Sequence, residues 1–286
     1  MNVIRRARPS LGSIVELRVE GLSDDRAVAA IDSAFAEIET IHRRMSFHEH
    51  DSDLSRLHRA HPRAPVHVDA RTYEVLACAI DIARMSEGIF DPTIAALQVA
   101  RVFLPRPALS RTPDPHADWR DIELLGDNHV RFARPLWIDL GGIAKGYAVD
   151  RAMNILIAAG ASHACVNAGG DMRVHGSRME RIDVRVDTVG EVFHTLEIHN
   201  ASVASSEGFS SRNEHGGVHI DGRTRNSANA TRCVSVIAPT CMIADALTKV
   251  VMSGDDATIR NVLSRFSAQA CIHDPRSGWR VLDQAA

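Results

Sequence analysis

Two stretches place ionisable side chains where everything around them is apolar or glycine. In Trp137-Ile-Asp-Leu-Gly-Gly-Ile-Ala-Lys-Gly-Tyr-Ala-Val-Asp-Arg151, Asp139 is the lone acid of an apolar run, Leu136 to Leu140, that reads as a short strand. Gly141 and Gly142 then turn the chain into a helix running to Gly160. Glycine at such a turn admits a ligand close to the backbone, and a helix N-terminus favours anions such as phosphate. The spacing excludes two familiar loops. Gly-x-x-x-x-Gly-Lys-Ser/Thr cannot be laid over Gly141 to Gly146, and glycines at 141, 142 and 146 do not make the dinucleotide fingerprint. On the turn alone, an anion cradle and an ordinary tight turn both stay open.

The second stretch is Ala238-Pro-Thr-Cys-Met-Ile-Ala-Asp-Ala-Leu-Thr-Lys-Val250. Asp245 sits among alanines and long apolar residues, where an ionised carboxylate is costly unless paired or bound to a metal. Asp245, Thr248 and Lys249 stand at i, i+3 and i+4 and so share one helix face. The plain reading of that triple is a surface ion pair worth a few tenths of a kcal/mol. Three more polar clusters interrupt apolar patterns: Arg44 to Arg56, Gly88-Ile-Phe-Asp-Pro-Thr93, and Val166-Asn-Ala-Gly-Gly-Asp-Met-Arg-Val174.

The elements that must position these groups follow from periodicity. Ser13 to Glu20 reads as a strand, and Val28, Ile31, Phe35, Ile38 and Met45 fall at helical spacing, giving a helix over Asp24 to Arg44. A second helix starts after Asp69, a plausible N-cap, and ends at Gly88. Residues 101–135 carry five prolines and read mainly as loop. From Ala164 the period changes towards two, with runs at 182–186, 193–198 and 233–238. Helices over 240–252 and 255–265 precede closing strands at 268–272 and 278–282. Early helices, central strands and a late helix pair fit α+β better than regular β-α-β winding. The expected organisation is one compact, two-lobed domain over residues 1–286.

Composition narrows the function classes. At 286 residues there is ample length for a core, and 45% hydrophobic with 24% charged residues is ordinary globular composition. A net charge of −3 gives no footprint for nucleic acid. No apolar run approaches the roughly 20 residues of a membrane span. The basic start has no hydrophobic segment after it, so the expectation is a cytoplasmic protein, or a periplasmic one if an export signal lies outside this sequence. Five scattered cysteines without a Cys-x-x-Cys pair support neither a disulfide framework nor a zinc site. His42, His48, His50, His58 and His61 lie in a polar, arginine-rich stretch and read as a solvated surface.

Together the clusters resemble the FAD:protein FMN transferase family of ApbE-like proteins. The matching pieces are Met-Ser-x-x-x-x-x-Ser-x-Leu-Ser-Arg-Leu at 45–57, Gly-x-Phe-Asp-Pro-Thr at 88–93 and Asp-Leu-Gly-Gly-Ile-Ala-Lys-Gly-Tyr-Ala-Val-Asp at 139–150. Asn-Ala-Gly-Gly-Asp at 167–171, His-Ile-Asp-x-Arg-Thr at 219–224 and Ile-Ala-Pro-Thr-Cys-x-x-Ala-Asp-Ala-Leu at 237–247 complete the set, in family order. The resemblance implies an α+β, T-fold-like architecture with a mostly antiparallel sheet flanked by helices. It implies that FAD binds between lobes and that Mg2+ assists cleavage of its pyrophosphate. FMN then passes to a threonine of an acceptor, a respiratory or redox membrane-complex flavoprotein, and AMP leaves. By the same resemblance Asp245 is a metal ligand and base, the Gly142 carbonyl is a second ligand, and His219 lies near the reacting phosphates. Met45, Ile89, Phe90, Asp91, Asp139, Lys145 and Thr248 would line the FAD site.

The chain departs from the family pattern at two points. Where relatives carry a metal-holding threonine four residues after the acid, this chain has Lys249, with Thr248 one place earlier. An ammonium cannot ligate magnesium. The metal could keep another water, Lys249 could charge the pyrophosphate site directly, or the Asp245–Lys249 pair could disable metal binding. The alternative functions are therefore an FAD-binding protein, or an FAD pyrophosphatase that transfers nothing to protein. The loop after His219 is also one residue shorter, with Gly222 and Arg225 replacing the family's proline and glycine.

Overall fold

The structure, a computed structural model, describes residues 3–186, 192–207, 219–228, 232–274 and 276–283. Two strands open the chain, β1 (Val3–Ser10) and β2 (Ser13–Glu20), paired antiparallel through a tight turn at Leu11 and Gly12. Helix α1 (Asp24–Met45) follows. Its Ala27, Ile31, Ala34, Ile38, Ile41 and Met45 recur at three- and four-residue steps and are all buried, while Asp24, Asp25, Arg43 and Arg44 complement the helix dipole at its ends.

Short α2 (Asp53–Arg59), β3 (Val66–His67), α3 (Ala70–Met85) and α4 (Ala95–Ala100) lead to the hairpin β4 (Ile122–Leu125) and β5 (His129–Phe132). Asp69 caps α3 as expected, accepting the Arg71 N–H. Helix α2 and the β4–β5 hairpin were not expected. The seven residues of α2 are too few to show a period, and Asp53 anchors them by accepting from the Asp69 N–H and the Thr72 hydroxyl. Strands of four residues beside prolines give equally little pattern.

The second half supplies α5 (Ala144–Ala158), β6 (His163–Ala168), β7 (Asp171–His175), β8 (Glu180–Val186), β9 (Val192–Ile198), β10 (Ser202–Glu207) and β11 (Cys233–Ala238). Then come α6 (Cys241–Ser253), α7 (Asp256–Arg265), β12 (Gln269–Asp274) and β13 (Gly278–Leu282). Eight strands form one sheet in the order β1-β2-β6-β7-β10-β11-β12-β13, each hydrogen-bonded pair antiparallel. The α+β class matches the sequence expectation. The main core unites α1, α5 and α6 with the sheet, and a smaller cluster packs the β8–β9 hairpin against Val174, Val203 and Cys271. Among the described residues, no helix is long and apolar enough to cross a membrane.

The run from Leu136 to Leu140 is not a strand. Its backbone donors go elsewhere: the Ile138 N–H to His58 Nε2 (3.0 Å) and the Asp139 N–H to the Pro92 carbonyl (2.8 Å). An apolar run of this length fits a buried loop as well as a sheet, because periodicity does not report where backbone hydrogen bonds go.

His58 is thus not on a solvated surface. It is buried, packs at a tilt against the Phe47 ring, and holds the segment that delivers Asp139. Burial pushes its pKa down to about 4 from the usual 6.5, opposed by its contact with the Ile138 carbonyl. A base whose folded pKa is lowered contributes stability above its unfolded pKa that is lost as pH falls through 6.5 towards the folded value. The window is therefore about pH 6.5 to 4, and the shift corresponds to about 3 kcal/mol. In urea titrations, the stability advantage of the wild type over His58→Gln should shrink steadily across that range. A constant difference would contradict the buried neutral ring.

Candidate functional site

Helices α5 and α6 approach so closely at Gly146 that a Cβ there would lie 2.3 Å from the Cys241 carbonyl oxygen. That approach places the two chemical stretches against each other. The Gly146 N–H donates to Asp245 Oδ2 (3.2 Å). One turn on, Asp150 accepts from the Cys241 and Met242 N–H groups (2.9 and 2.8 Å), so a carboxylate of α5 caps the start of α6. Asp150 is further tied to Arg173 of β7 (2.8 Å). Its capping role is not legible in sequence, because donor and acceptor are 91 residues apart.

Asp245 is 1% exposed, and the ion pair to Lys249 Nζ meets the requirement that a buried carboxylate be compensated. The same ammonium donates to the Asp245 backbone carbonyl (3.0 Å). Thr248 is fully buried, its hydroxyl donating to the Asp245 carbonyl (2.7 Å) and lying 2.8 Å from the Ser206 hydroxyl. It stands behind the cavity wall. A second pair lies alongside: Lys145 Nζ is 3.0 Å from Asp171 Oδ2. Burial, and then the Asp245 charge, hold Asp171 above the usual carboxylate range, with Lys145 pulling the other way. Burial works against the Lys145 charge, but Asp171 and Asp245 outweigh it and keep its pKa raised. Asp171 belongs to the Asn-Ala-Gly-Gly-Asp cluster, yet nothing in the sequence pairs it with Lys145.

Lys145 and Lys249 form one end of a cavity of about 660 Å³. The other walls are largely apolar: Met45, Phe47, Ile89, Phe90, Phe103 and Leu104. Asp91, Asp139, Gly142 and His219 also line it, so the structure gathers every expected site residue there except Asp245 and Thr248, which form its backing. Asp139 is pushed up by burial, against the hydrogen bonds it accepts from the Gly141 N–H and the Gln98 side chain. Burial, and then the Lys249 charge, push His219 down to about 4, so the ring is neutral at physiological pH.

The Gly141-Gly142 turn is less of an anion cradle than its residues suggest. The Gly141, Ile143, Ala144 and Gly146 amides already have acceptors within the protein. Positive charge at this end comes from Lys145 and Lys249.

The altered loop after His219 keeps its place by two devices. Gly222 is required for contact, since a Cβ there would lie 2.3 Å from the Gly88 carbonyl oxygen and 2.4 Å from Asp91 Cβ. Arg225 adopts φ 59°, the left-handed conformation that favours glycine, and recovers something by pairing with Asp91 (3.3 Å) and donating to the Ala117 carbonyl (3.2 Å). Gly222→Ala should lift this loop off residues 88–91 and weaken binding of the cavity's ligand by about tenfold or more, a cost of at least about 1.4 kcal/mol. Fluorescence titration with FAD, the ligand the resemblance implies, measures it, and unaltered affinity would show that the loop does not shape the cavity.

The cavity of this antiparallel α+β fold, with an apolar wall and a two-lysine end, suits a ligand that joins a flat apolar group to phosphate. The family is narrower than that. A family model described as the ApbE family matches residues 11–272, and the chain belongs to the ApbE family. It is similar to the FAD:protein FMN transferase of Haemophilus influenzae, with 28% identity over 84% of this chain and 78% of that protein. To the Vibrio cholerae FAD:protein FMN transferase it shows 27% identity, over 87% and 80%. Among solved structures, the flavin transferase ApbE from Vibrio cholerae superposes with a TM-score of 0.85 at 23% identity, covering 99% of this chain and 97% of that one. The ApbE protein from Thermotoga maritima gives 0.83 at 25%, covering 98% and 96%.

Proposed function

We propose that this protein is an FAD:protein FMN transferase that attaches FMN from FAD to a threonine of an acceptor protein. The observation that carries the reading is the two-ended cavity: an apolar, phenylalanine-bearing wall suited to a flavin ring, and a lysine end suited to its pyrophosphate. The acceptor we propose is of the respiratory or redox membrane-complex kind that the family resemblance implies.

The threonine oxygen attacks the flavin-side phosphorus. A new P–O bond forms as the bond from that phosphorus to the bridging oxygen breaks, and AMP leaves with the bridging oxygen. The protein's part is positioning and neutralisation of charge on the phosphoryl oxygens. Lys145 and Lys249 face that end. His219, neutral in the resting site, gains proton affinity once a negatively charged pyrophosphate lies beside it, and it can then accept the hydroxyl proton.

The magnesium implied by the family resemblance does not fit the groups present. Lys249 Nζ pairs with Asp245 Oδ1 and donates to the Asp245 carbonyl, and Oδ2 takes the Gly146 N–H. The lysine stem crosses beside the other expected ligand, its Cε 3.2 Å from where a Gly142 Cβ would stand. Magnesium demands near-octahedral oxygen ligands at about 2.1 Å, and an ammonium on the same carboxylate oxygen denies it that position. No step of the reaction is assigned to a metal here.

Incubation with FAD, with and without a threonine-bearing acceptor, tests the reading. AMP release that depends on the acceptor is the expected result. Equal release of AMP and FMN without acceptor would mean hydrolysis, and unchanged bound FAD would mean a carrier; either would overturn transfer.

A further inference from the structure

The geometry points to Lys249 as a built-in cation that replaces a divalent metal in the reaction of this site. The inference rests on the transferase reading, and it turns on where the ammonium sits. Lys249 lies between Gly142 and Asp245, the two positions from which oxygen ligands were expected. Its side chain is 20% exposed and its remaining surface faces the cavity. An ammonium has three donors. Two go to Asp245, to Oδ1 and to the backbone carbonyl, and the third is left for an oxygen of a bound ligand.

The carboxylate fixes the ammonium instead of a metal, so Asp245 is a positioning residue. The bonds made and broken are those given above, with the ammonium donating to a phosphoryl oxygen and keeping its proton throughout. Lys145, tethered to Asp171, supplies a second positive charge at the same end. The two lysines therefore offset the two carboxylates that hold them. An ordinary i, i+4 helix pair differs in being solvated; this one is backed by a 1% exposed aspartate and opens onto the cavity.

The test uses the full chain, Mn2+ as a spectroscopic probe, and Lys249→Thr, which restores the hydroxyl of the family pattern. By electron paramagnetic resonance the wild type should leave Mn2+ free, with FAD turnover changed less than about twofold by EDTA or added Mg2+. Lys249→Thr should bind Mn2+, and its turnover in EDTA should fall by roughly 10²-fold or more, as on loss of a preorganised charge-stabilising donor. Partial recovery of that turnover on adding Mg2+ is the further expected result. Stoichiometric Mn2+ binding by the wild type, or loss of its turnover in EDTA, would overturn the proposal. So would undiminished EDTA turnover in Lys249→Thr. The wild-type measurements decide even if the variant does not fold. If no variant or condition turns FAD over, the transferase reading fails, while the Mn2+ comparison still reports on the cation site.

Discussion

Replacing Asp245 with alanine lowers FMN transfer by roughly 10²- to 10³-fold, the range seen when a single preorganised charge-stabilising group is lost. The carboxylate holds Lys249 against the cavity floor and accepts the Gly146 N–H that joins α5 to α6. Without it the ammonium loses its fixed position, and a buried N–H is left without an acceptor. Lys249 can swing towards the open cavity, which softens the penalty of an unpaired charge, so the expected loss of stability is about 2–3 kcal/mol. Asp245→Asn separates the two effects. It keeps an acceptor for Gly146 and should recover most of the stability but little of the transfer. Urea unfolding and acceptor labelling on the same preparations give both numbers. Wild-type transfer by Asp245→Ala would remove the aspartate from the mechanism.

The second large effect is expected at Gly146. Its missing side chain is what lets α5 and α6 touch: a Cβ there would lie 2.3 Å and 2.6 Å from the Cys241 carbonyl oxygen and carbon, and 2.9 Å from Asp245 Cβ. Backbone atoms cannot rotate away, so Gly146→Ala must force the helices apart. We expect a loss of about 3 kcal/mol or more, because overpacking against backbone strains both helices and disturbs the Asp150 cap on α6. The site should fail with the fold, since Lys145 is on one helix and Lys249 on the other. Gly141→Ala is the control. Its Cβ would lie nearest the Asp139 carboxylate oxygens, at 3.1 and 3.4 Å, and a side chain can shift by a few tenths of an ångström. Equal stability of the two variants would refute the close-contact account.

What could be read from residue order divides along the range of the interactions. Helices α1, α3, α6 and α7 were legible because each buries a periodic face, and β2 from its apolar residues, although Ile14 proves exposed and the buried set is Val15, Leu17 and Val19. Strand β1 was not, since Arg5, Arg6 and Arg8 leave no buried face to read. The run before Gly141 was misread as a strand because its partners are a histidine 80 residues away and the Pro92 carbonyl. At the site, the apolar setting of Asp245 and its i, i+4 spacing to Lys249 were visible, but not that the lysine opens onto a cavity. The Lys145–Asp171 pair, the Asp150 cap and the Arg225–Asp91 contact depend on how α5, α6, β7 and the 219–228 loop come together. Residue types marked the chemistry; only the packing says which charges meet.

The central claim is group transfer to protein, and intact mass of the acceptor tests it most directly. A threonine-bearing acceptor incubated with FAD and the wild-type protein should gain the mass of one FMN phosphoester for each AMP released, and keep its flavin fluorescence after denaturation. The same incubation with Asp245→Ala should leave nearly all the acceptor at its original mass. An acceptor unchanged by the wild type, with FAD intact or FMN free in solution, would contradict the account.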